Sequence, residues 1–268
     1  MKKISVVVPI YNSGLFISET INSIVNQTFK PFEILIIDDG STDNSCKIVS
    51  EIIVNNNKEI NIKLIKGTHN GPGSARNIGI VNASSEWIAF LDSDDFWYEN
   101  KLQEVVNVIN ENNTHSFFCH NEHLVKSGFD NKVLDYSRNY KKEKSFSRQL
   151  YNYNLFSTSA VVCLKNDLLK VGGFDENLSS AQDYDLWLKM SDFINPFFIK
   201  KTLGVYTVRD GNISSRNYFK RLKNIIHVKI RHRSKGGVLF LIVVFKTFLY
   251  YFAKPLIPFL KKIFKLKN

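Results

Sequence analysis

The chain has 268 residues, 44% hydrophobic and 23% charged, an ordinary composition for a folded domain and enough for one sizeable core with an appendage. Its formal net charge of +11 is uneven: residues 211–268 hold 14 of the 36 Lys and Arg and no acid, while the first 210 residues carry 22 basic and 25 acidic side chains. The core is therefore nearly neutral, which argues against nucleic acid as a partner, and Cys46, Cys119 and Cys163 lack metal or redox spacing, which argues against a disulfide framework and for a reducing cytoplasm.

The opening MKKISVVVPIYN has no small-residue cleavage site, so Ile4 to Val8 is expected to be a buried first strand. Leu15 to Gln27 then places Phe16, Ile17, Thr20, Ile21, Ile24 and Val25 on one helical face. A second strand, Phe32 to Ile37, runs into Asp38-Asp39-Gly40, and a helix follows from about Asn44 to Asn55. Ile62 to Ile65 is a third strand, Ser74 to Val81 a helix opened by Gly71-Pro72-Gly73, and Trp87 to Leu91 a fourth strand ending in Asp92-Ser93-Asp94-Asp95. Such alternation predicts βαβ units on a Rossmann-like, mostly parallel sheet flanked by helices. Beyond about Asn113 the pattern loosens, with strands expected around Phe117 to His120 and Ser159 to Leu164 and a helix from Ala181 to Phe193.

Polar residues collect where strands end, which is where open α/β sheets bind ligands. Three carboxylates within Asp92 to Asp95 repel one another unless a cation compensates them, and hard oxygen ligands suit Mg²⁺ or Mn²⁺. The same residues also suit a solvated turn that caps the next helix. Asp38 to Asp43 can accept hydrogen bonds from a base or ribose, or form an Asx turn with Thr42 or Asp43 as N-cap. Tyr11 offers an aromatic face to a base or to simple packing. His69 to Asn77 joins a glycine turn to a helix N-terminus and includes Arg76, so its amides and guanidinium can hold phosphate; its spacing is neither a Walker loop nor a dinucleotide fingerprint. Asp183 opens a helix whose Leu186, Trp187 and Met190 pack inward, which suits either a general base or an acid complementing the helix dipole.

Together, SVVVPIYNSG, IIDDGSTDNS, NGPGSARNIGI, FLDSDD, GGFDE and QDYDLWLKM resemble, in content and order, the motifs of family 2 glycosyltransferases with the GT-A fold, over residues 4 to about 215. The resemblance implies an inverting enzyme with a UDP-sugar donor and Mn²⁺ or Mg²⁺ as cofactor. It implies that Pro9, Tyr11 and Asp39 hold the nucleobase and that Arg76 helps fix the nucleotide. Asp92 and Asp94, with Ser93 between them, match the D-x-D motif, Asp94 on the metal and Asp92 near the ribose or sharing the ion. Asp183 matches the general base. Two departures stand out: Gln182 replaces a frequent Glu, and Arg209 lies in the Tyr206 to Asn212 loop where relatives often have a metal-approaching His, so it is expected to face the diphosphate.

The tail is a separate signal. Tyr218 to Arg233 interleaves Leu222, Ile225, Ile226 and Ile230 with cations, Gly237 to Ala253 is apolar apart from Lys246 and Thr247, and Lys and aliphatic residues alternate to the end. An interior Lys disfavours a membrane span, and the pattern predicts helices lying on an anionic membrane surface, or a helical hairpin packed on the domain or on a second copy. The expected organisation is a GT-A domain over 1–215, with a nucleotide-binding half (1–112) and an acceptor-binding half (113–215), and a basic helical tail over 216–268. The expected function is transfer to a lipid-linked saccharide in surface polysaccharide synthesis, peripheral to the cytoplasmic face of the plasma membrane. The alternatives are a non-catalytic nucleotide-sugar-binding module and a transferase for protein or small-molecule acceptors.

Overall fold

The computed structural model describes residues 2–56, 60–67, 69–126, 132–209, 218–237 and 240–253. Strands β1 (Ile4–Ile10), β2 (Glu33–Asp38), β3 (Asn61–Lys66) and β4 (Trp87–Phe90) are joined by helices α1 (Ile17–Val25), α2 (Ser45–Asn55) and α3 (Pro72–Asn82). The four strands pair in parallel in the order β3-β2-β1-β4, as the alternation predicts. Val7, Leu35, Ile37 and Phe90 enter one core and Val6, Val8, Ile34 and Ile36 the other. Burial on both faces explains why β1, β2 and β4 read as apolar runs, whereas β3, at the sheet edge, exposes Asn61, Lys63 and Lys66. Helix α1 lays Ile17, Ile21 and Ile24 on the second core, while α3 packs so closely on β1 that a Cβ at Gly79 would stand 2.3 Å from a Val7 methyl.

The second half comprises β5 (Phe96–Trp97), α4 (Lys101–Glu111), β6 (Phe117–Lys126), β7 (Lys132–Leu134), α5 (Phe146–Asn152), β8 (Val161–Leu164), α6 (Lys165–Lys170), α7 (Gln182–Met190) and β9 (Pro196–Val208). It extends the same sheet past β4 through β8, β6 and β9 to β5, with β7 paired to β6. Strand directions mix here: β8 is antiparallel to β4 and β6, whereas β9 is parallel to β6. Strand β6 runs six residues beyond the expected His120 end because its register on β9 shifts on either side of Asn121 and buries His120, Asn121 and Glu122. Those polar residues interrupt the apolar pattern without ending the strand. Helix α7 stops at Met190 rather than Phe193, where the Ser191 hydroxyl bonds back to the Leu188 carbonyl.

Among the described residues three helices follow, α8 (Tyr218–Arg231), α9 (Arg233–Gly236) and α10 (Phe240–Ala253). In α8 the apolar face packs on the domain, as in the helical-hairpin alternative, with Leu222, Ile225 and Val228 buried. Asp185 of α7, fully buried, clamps this helix: it hydrogen bonds to Arg231 at 3.0 Å and to His232 at 2.9 Å and pairs with Lys189 at 2.9 Å. Helix α10 leaves Leu241, Ile242, Phe245 and Leu249 exposed, and no described helix is long and apolar enough to cross a membrane. The expected boundary at 215/216 and the alternating Lys and aliphatic stretch of 254–268 lie outside the described residues.

Candidate active site

A cavity of about 1730 Å³ opens beyond the carboxyl ends of β1, β2 and β4 and is lined by Pro9, Tyr11, Asp39, Arg76, Asp92, Ser93, Asp94, Asp183 and Arg209, while the rest of Asp38 to Asp43 stays outside its lining. The loops after β1 and β2 form one wall. Asn12 adopts φ 50°, its side-chain carbonyl accepts the Thr42 N–H at 2.8 Å, and its own N–H donates to the Ser41 hydroxyl at 3.0 Å. The helix after this loop has Asn44 as N-cap, not Thr42 or Asp43, although the Asp43 carboxylate still accepts the Ser45 N–H at 3.0 Å.

Asp39 is 5% exposed, and its carboxylate accepts the Asn70 N–H at 3.1 Å and the Gly71 N–H at 2.9 Å. These amides precede α3, and Gly71 sits at φ 92°, a conformation that favours glycine. The expectation that the amides of this turn hold phosphate is thus corrected for two of them: a buried carboxylate takes the donors of the nearest helix start. Each Asp39 oxygen keeps a lone pair for a further donor. Tyr11, 45% exposed, sets its ring 5.0 Å from that of His69 at the rim.

The acidic turn divides into three roles. Asp92 pairs with the NH2 group of Arg76, which is itself 7% exposed, so that guanidinium group reaches a carboxylate of the protein. Asp95 is 2% exposed and accepts the Ser159 hydroxyl at 2.6 Å and the Thr207 N–H at 2.8 Å, which makes it a structural anchor. Asp94 is left half-buried, and burial, followed by the charge of Asp92, pushes its carboxyl up to about 6 against the pull of Arg209 and Arg76. Thr20 of α1 holds the turn through the Ser93 and Asp95 carbonyls, both at 2.9 Å, and the Ser93 hydroxyl meets that of Ser13 at 2.7 Å. Arg209 lies flat over the Phe16 ring, 3.5 Å from its centre; residues 210–212 of its loop lie outside the described residues.

A carboxyl lifted in this way is stabilised as the anion by a cation. Among the described residues no cluster of three or more His, Cys, Asp or Glu side chains is arranged to hold a metal. Two adjacent carboxylates without a cage fit a divalent ion that draws its other oxygens from a phosphate and water, the habit of Mg²⁺ in phosphate sites.

Asp183 stands in the first turn of α7 across the cavity, half-buried, with its Oδ2 accepting the Asn154 side-chain amide at 3.0 Å. Burial raises its carboxyl above the usual range, the Tyr184 N–H, Arg76 and Asn154 oppose the rise, and Asp92 adds to it. Asp183, Arg76, Asp92 and Asp94 thus share one electrostatic environment. The inward packing expected of α7 is found, with Leu186, Trp187 and Met190 fully buried. Gln182 is buried against Gly73 and donates to the Leu178 carbonyl, so this departure from the family pattern sits in packing.

Sequence reasoning missed Asn154 and Ser159, which carry no motif or periodic signal. It also missed the far wall of the cavity, where Arg221, Lys229 and Lys246 line the same space. Lys229 had a visible signal: it follows Leu222 and Ile225 on the apolar face of α8, a position a solvated lysine avoids.

Comparison with known proteins identifies the family and the fold. The model of a family described as Glycosyl transferase family 2 matches residues 5–170. An uncharacterised glycosyltransferase of Rickettsia bellii is 30% identical over 234 residues; the match covers 84% of this chain but 32% of that protein, so the chain spans about a third of its length. An Escherichia coli protein, the UDP-Glc:alpha-D-GlcNAc-diphosphoundecaprenol beta-1,3-glucosyltransferase WfgD, is 32% identical over 229 residues, covering 82% of each chain. The crystal structure of Staphylococcus aureus TarS 1-349 in complex with UDP-GlcNAc superimposes with a TM-score of 0.72 at 24% identity, over 92% of this chain and 73% of that one, a likeness of fold. The architecture is the GT-A fold.

Proposed function

This chain belongs to glycosyl transferase family 2, and we propose that it moves a sugar from a UDP-sugar, with inversion, to a hydroxyl of a saccharide joined through diphosphate to a membrane lipid. The observation that carries this reading is the single cavity shared by Asp183 with Asp39, Asp92 and Asp94. Asp183 takes the proton of the acceptor hydroxyl, whose oxygen attacks the anomeric carbon from the face opposite the leaving group. The bond from that carbon to the diphosphate oxygen breaks, and UDP departs with the electron pair. Asn154 orients the base by its 3.0 Å hydrogen bond, and the raised affinity of Asp183 for a proton suits it to abstraction.

Asp39 and Tyr11 hold the base and ribose end of the nucleotide beside Pro9, with Ser93 at the sugar side. Mn²⁺ or Mg²⁺ on Asp94, with Asp92, supplies positive charge to the departing diphosphate when bound. Arg209, close enough to Asp94 to lower its proton affinity, adds a second positive charge there. Arg76 acts through Asp92 by holding its carboxylate in place.

Two observations support the acceptor. The Escherichia coli relative is a glucosyltransferase for a diphosphoundecaprenol-linked sugar, and α10 exposes Leu241, Ile242, Phe245 and Leu249 within a stretch of sequence rich in Lys and Arg. Such a surface suits peripheral attachment to an anionic leaflet, to which each Lys or Arg contributes about 1 kcal/mol. The test is UDP release from a panel of UDP-sugars with and without lipid-linked acceptors extracted from membranes. Acceptor-dependent release is expected, and its absence with every pair would overturn the reading.

A further inference from the structure

The wall of the cavity made by α8 and α10 contains a buried ammonium group that the transfer step does not use. Lys229 is 3% exposed and lines the cavity. Its Nζ donates to the Tyr151 carbonyl at 2.6 Å, the same oxygen that accepts the Tyr184 hydroxyl at 2.6 Å, and lies 4.8 Å and 5.5 Å from the Tyr151 and Tyr184 ring centres. Among the described residues no carboxylate forms an ion pair with it, in contrast to Lys189, Arg231 and Lys235, which all find aspartates. Burial lowers its pKa to about 8, so it still carries its charge at neutral pH. Retaining a buried charge with no opposite charge costs several kcal/mol, and an anionic ligand in the cavity removes that cost.

The surroundings narrow the class of anion. Neither α8 nor α10 contains an acidic residue. Arg221 and Lys246 add two cations to this wall, and Ile225, Ile242 and Val243 place apolar surface among them. A freely soluble phosphate leaves that apolar surface unmatched, whereas an amphiphile with an anionic head and a hydrocarbon chain meets both. The wall and the base share this cavity: Tyr184, whose ring centre lies 5.5 Å from the Lys229 Nζ, and Asp183 both line it.

We infer that this wall anchors the acceptor: Lys229, with Arg221 and Lys246, binds the diphosphate of an isoprenoid-type lipid carrier, and Ile225, Ile242 and Val243 receive the first carbons of its chain. The inference rests on the transferase reading above and adds the site that recognises the acceptor. It brings the sugar next to the diphosphate to Asp183.

The test is calorimetric binding of farnesyl diphosphate, below its micelle concentration, to the full chain saturated with UDP and Mg²⁺, so that the nucleotide end is filled. Binding is expected, with affinity falling about tenfold or more in Lys229→Met and about threefold in Lys246→Gln, while UDP affinity stays unchanged in both. Farnesol and inorganic pyrophosphate should each bind about tenfold or more weakly than farnesyl diphosphate. Unaltered affinity in both variants, or displacement of the probe by more UDP, would overturn the inference. So would phosphatidylglycerol vesicles that bind with the same dependence on Lys229, since the wall would then be a general contact for anionic lipid. If Lys229→Met does not fold, the exposed Lys246→Gln decides by itself. Failure of the unaltered chain to bind UDP counts against the proposed function, whereas UDP binding without probe binding counts only against this subsite.

Discussion

The two ends of the cavity are opposite in charge although both are assigned to anions. The end formed by the strand termini carries Asp39, Asp92 and Asp94 against Arg76 and Arg209, and the end formed by α8 and α10 carries Arg221, Lys229 and Lys246 with no acid on either helix. An acidic wall can bind a diphosphate only through a cation, and that arrangement suits a group that must leave, because the ion stabilises charge as it develops. A basic wall binds a diphosphate directly, which suits a group that only anchors. Asp183 stands between them.

The largest effect is expected at that border. Asp183→Asn should lower transfer by about 10³-fold while leaving UDP and farnesyl diphosphate affinities near their starting values, since it removes proton abstraction and little binding. Turnover near the unaltered rate would remove Asp183 from the mechanism. Chelation by EDTA, or Asp94→Asn, comes next: UDP affinity and transfer should fall by about 100-fold, and Mn²⁺ or Mg²⁺ should restore the chelated enzyme. Binding of farnesyl diphosphate should survive the same treatment, and a parallel loss would erase the distinction between the ends.

Asp185→Asn should loosen the basic wall from the acidic one. Removing one member of a buried ion cluster costs about 3 kcal/mol, readable in the urea midpoint of unfolding. Burial opposes ionisation of Asp185, yet His232, Lys189 and Arg231 together hold its pKa at about 2. A carboxyl depressed in the folded state stabilises above its unfolded pKa, so this group contributes about 2 kcal/mol at neutral pH. The contribution should disappear between about pH 4 and pH 2, and the variant should lack that part of the acid transition. A smaller effect concerns the base: because burial raises the carboxyl of Asp183, transfer should decline on acidification at a pH above the ordinary aspartate range of about 3.9. Smallest is Tyr11→Ala, expected to weaken UDP by about 1 kcal/mol, roughly fivefold, without changing the probe at the other end.

Much of the first half was legible in the sequence. Strands β1, β2 and β4 lie between two cores, so continuous runs such as Ile34 to Ile37 expose their identity without any alternation. The order of the motifs also brought Asp39, Asp92, Asp94 and Asp183 to the same cavity. The second half was less legible because its buried positions are not all apolar. His120, Asn121 and Glu122 lie inside β6, where the Tyr136 hydroxyl donates to Glu122 Oε2 at 2.6 Å and the Asn121 side chain accepts the Tyr136 N–H at 3.2 Å. Partners 14 and 15 residues away leave no periodic trace.

The sequence by itself determined the succession of strands and helices and the placing of acids at strand ends, since both follow from local periodicity and from the need to keep loops free for ligands. Only the tertiary structure decided what each charge does: that Asp95 anchors the turn, that Arg76 holds Asp92, that the amides of residues 70 and 71 belong to Asp39, and that Lys229 faces the cavity without an acid. The reason is that burial and the nearest partner set the state of a charge, and both are supplied by segments distant in the chain.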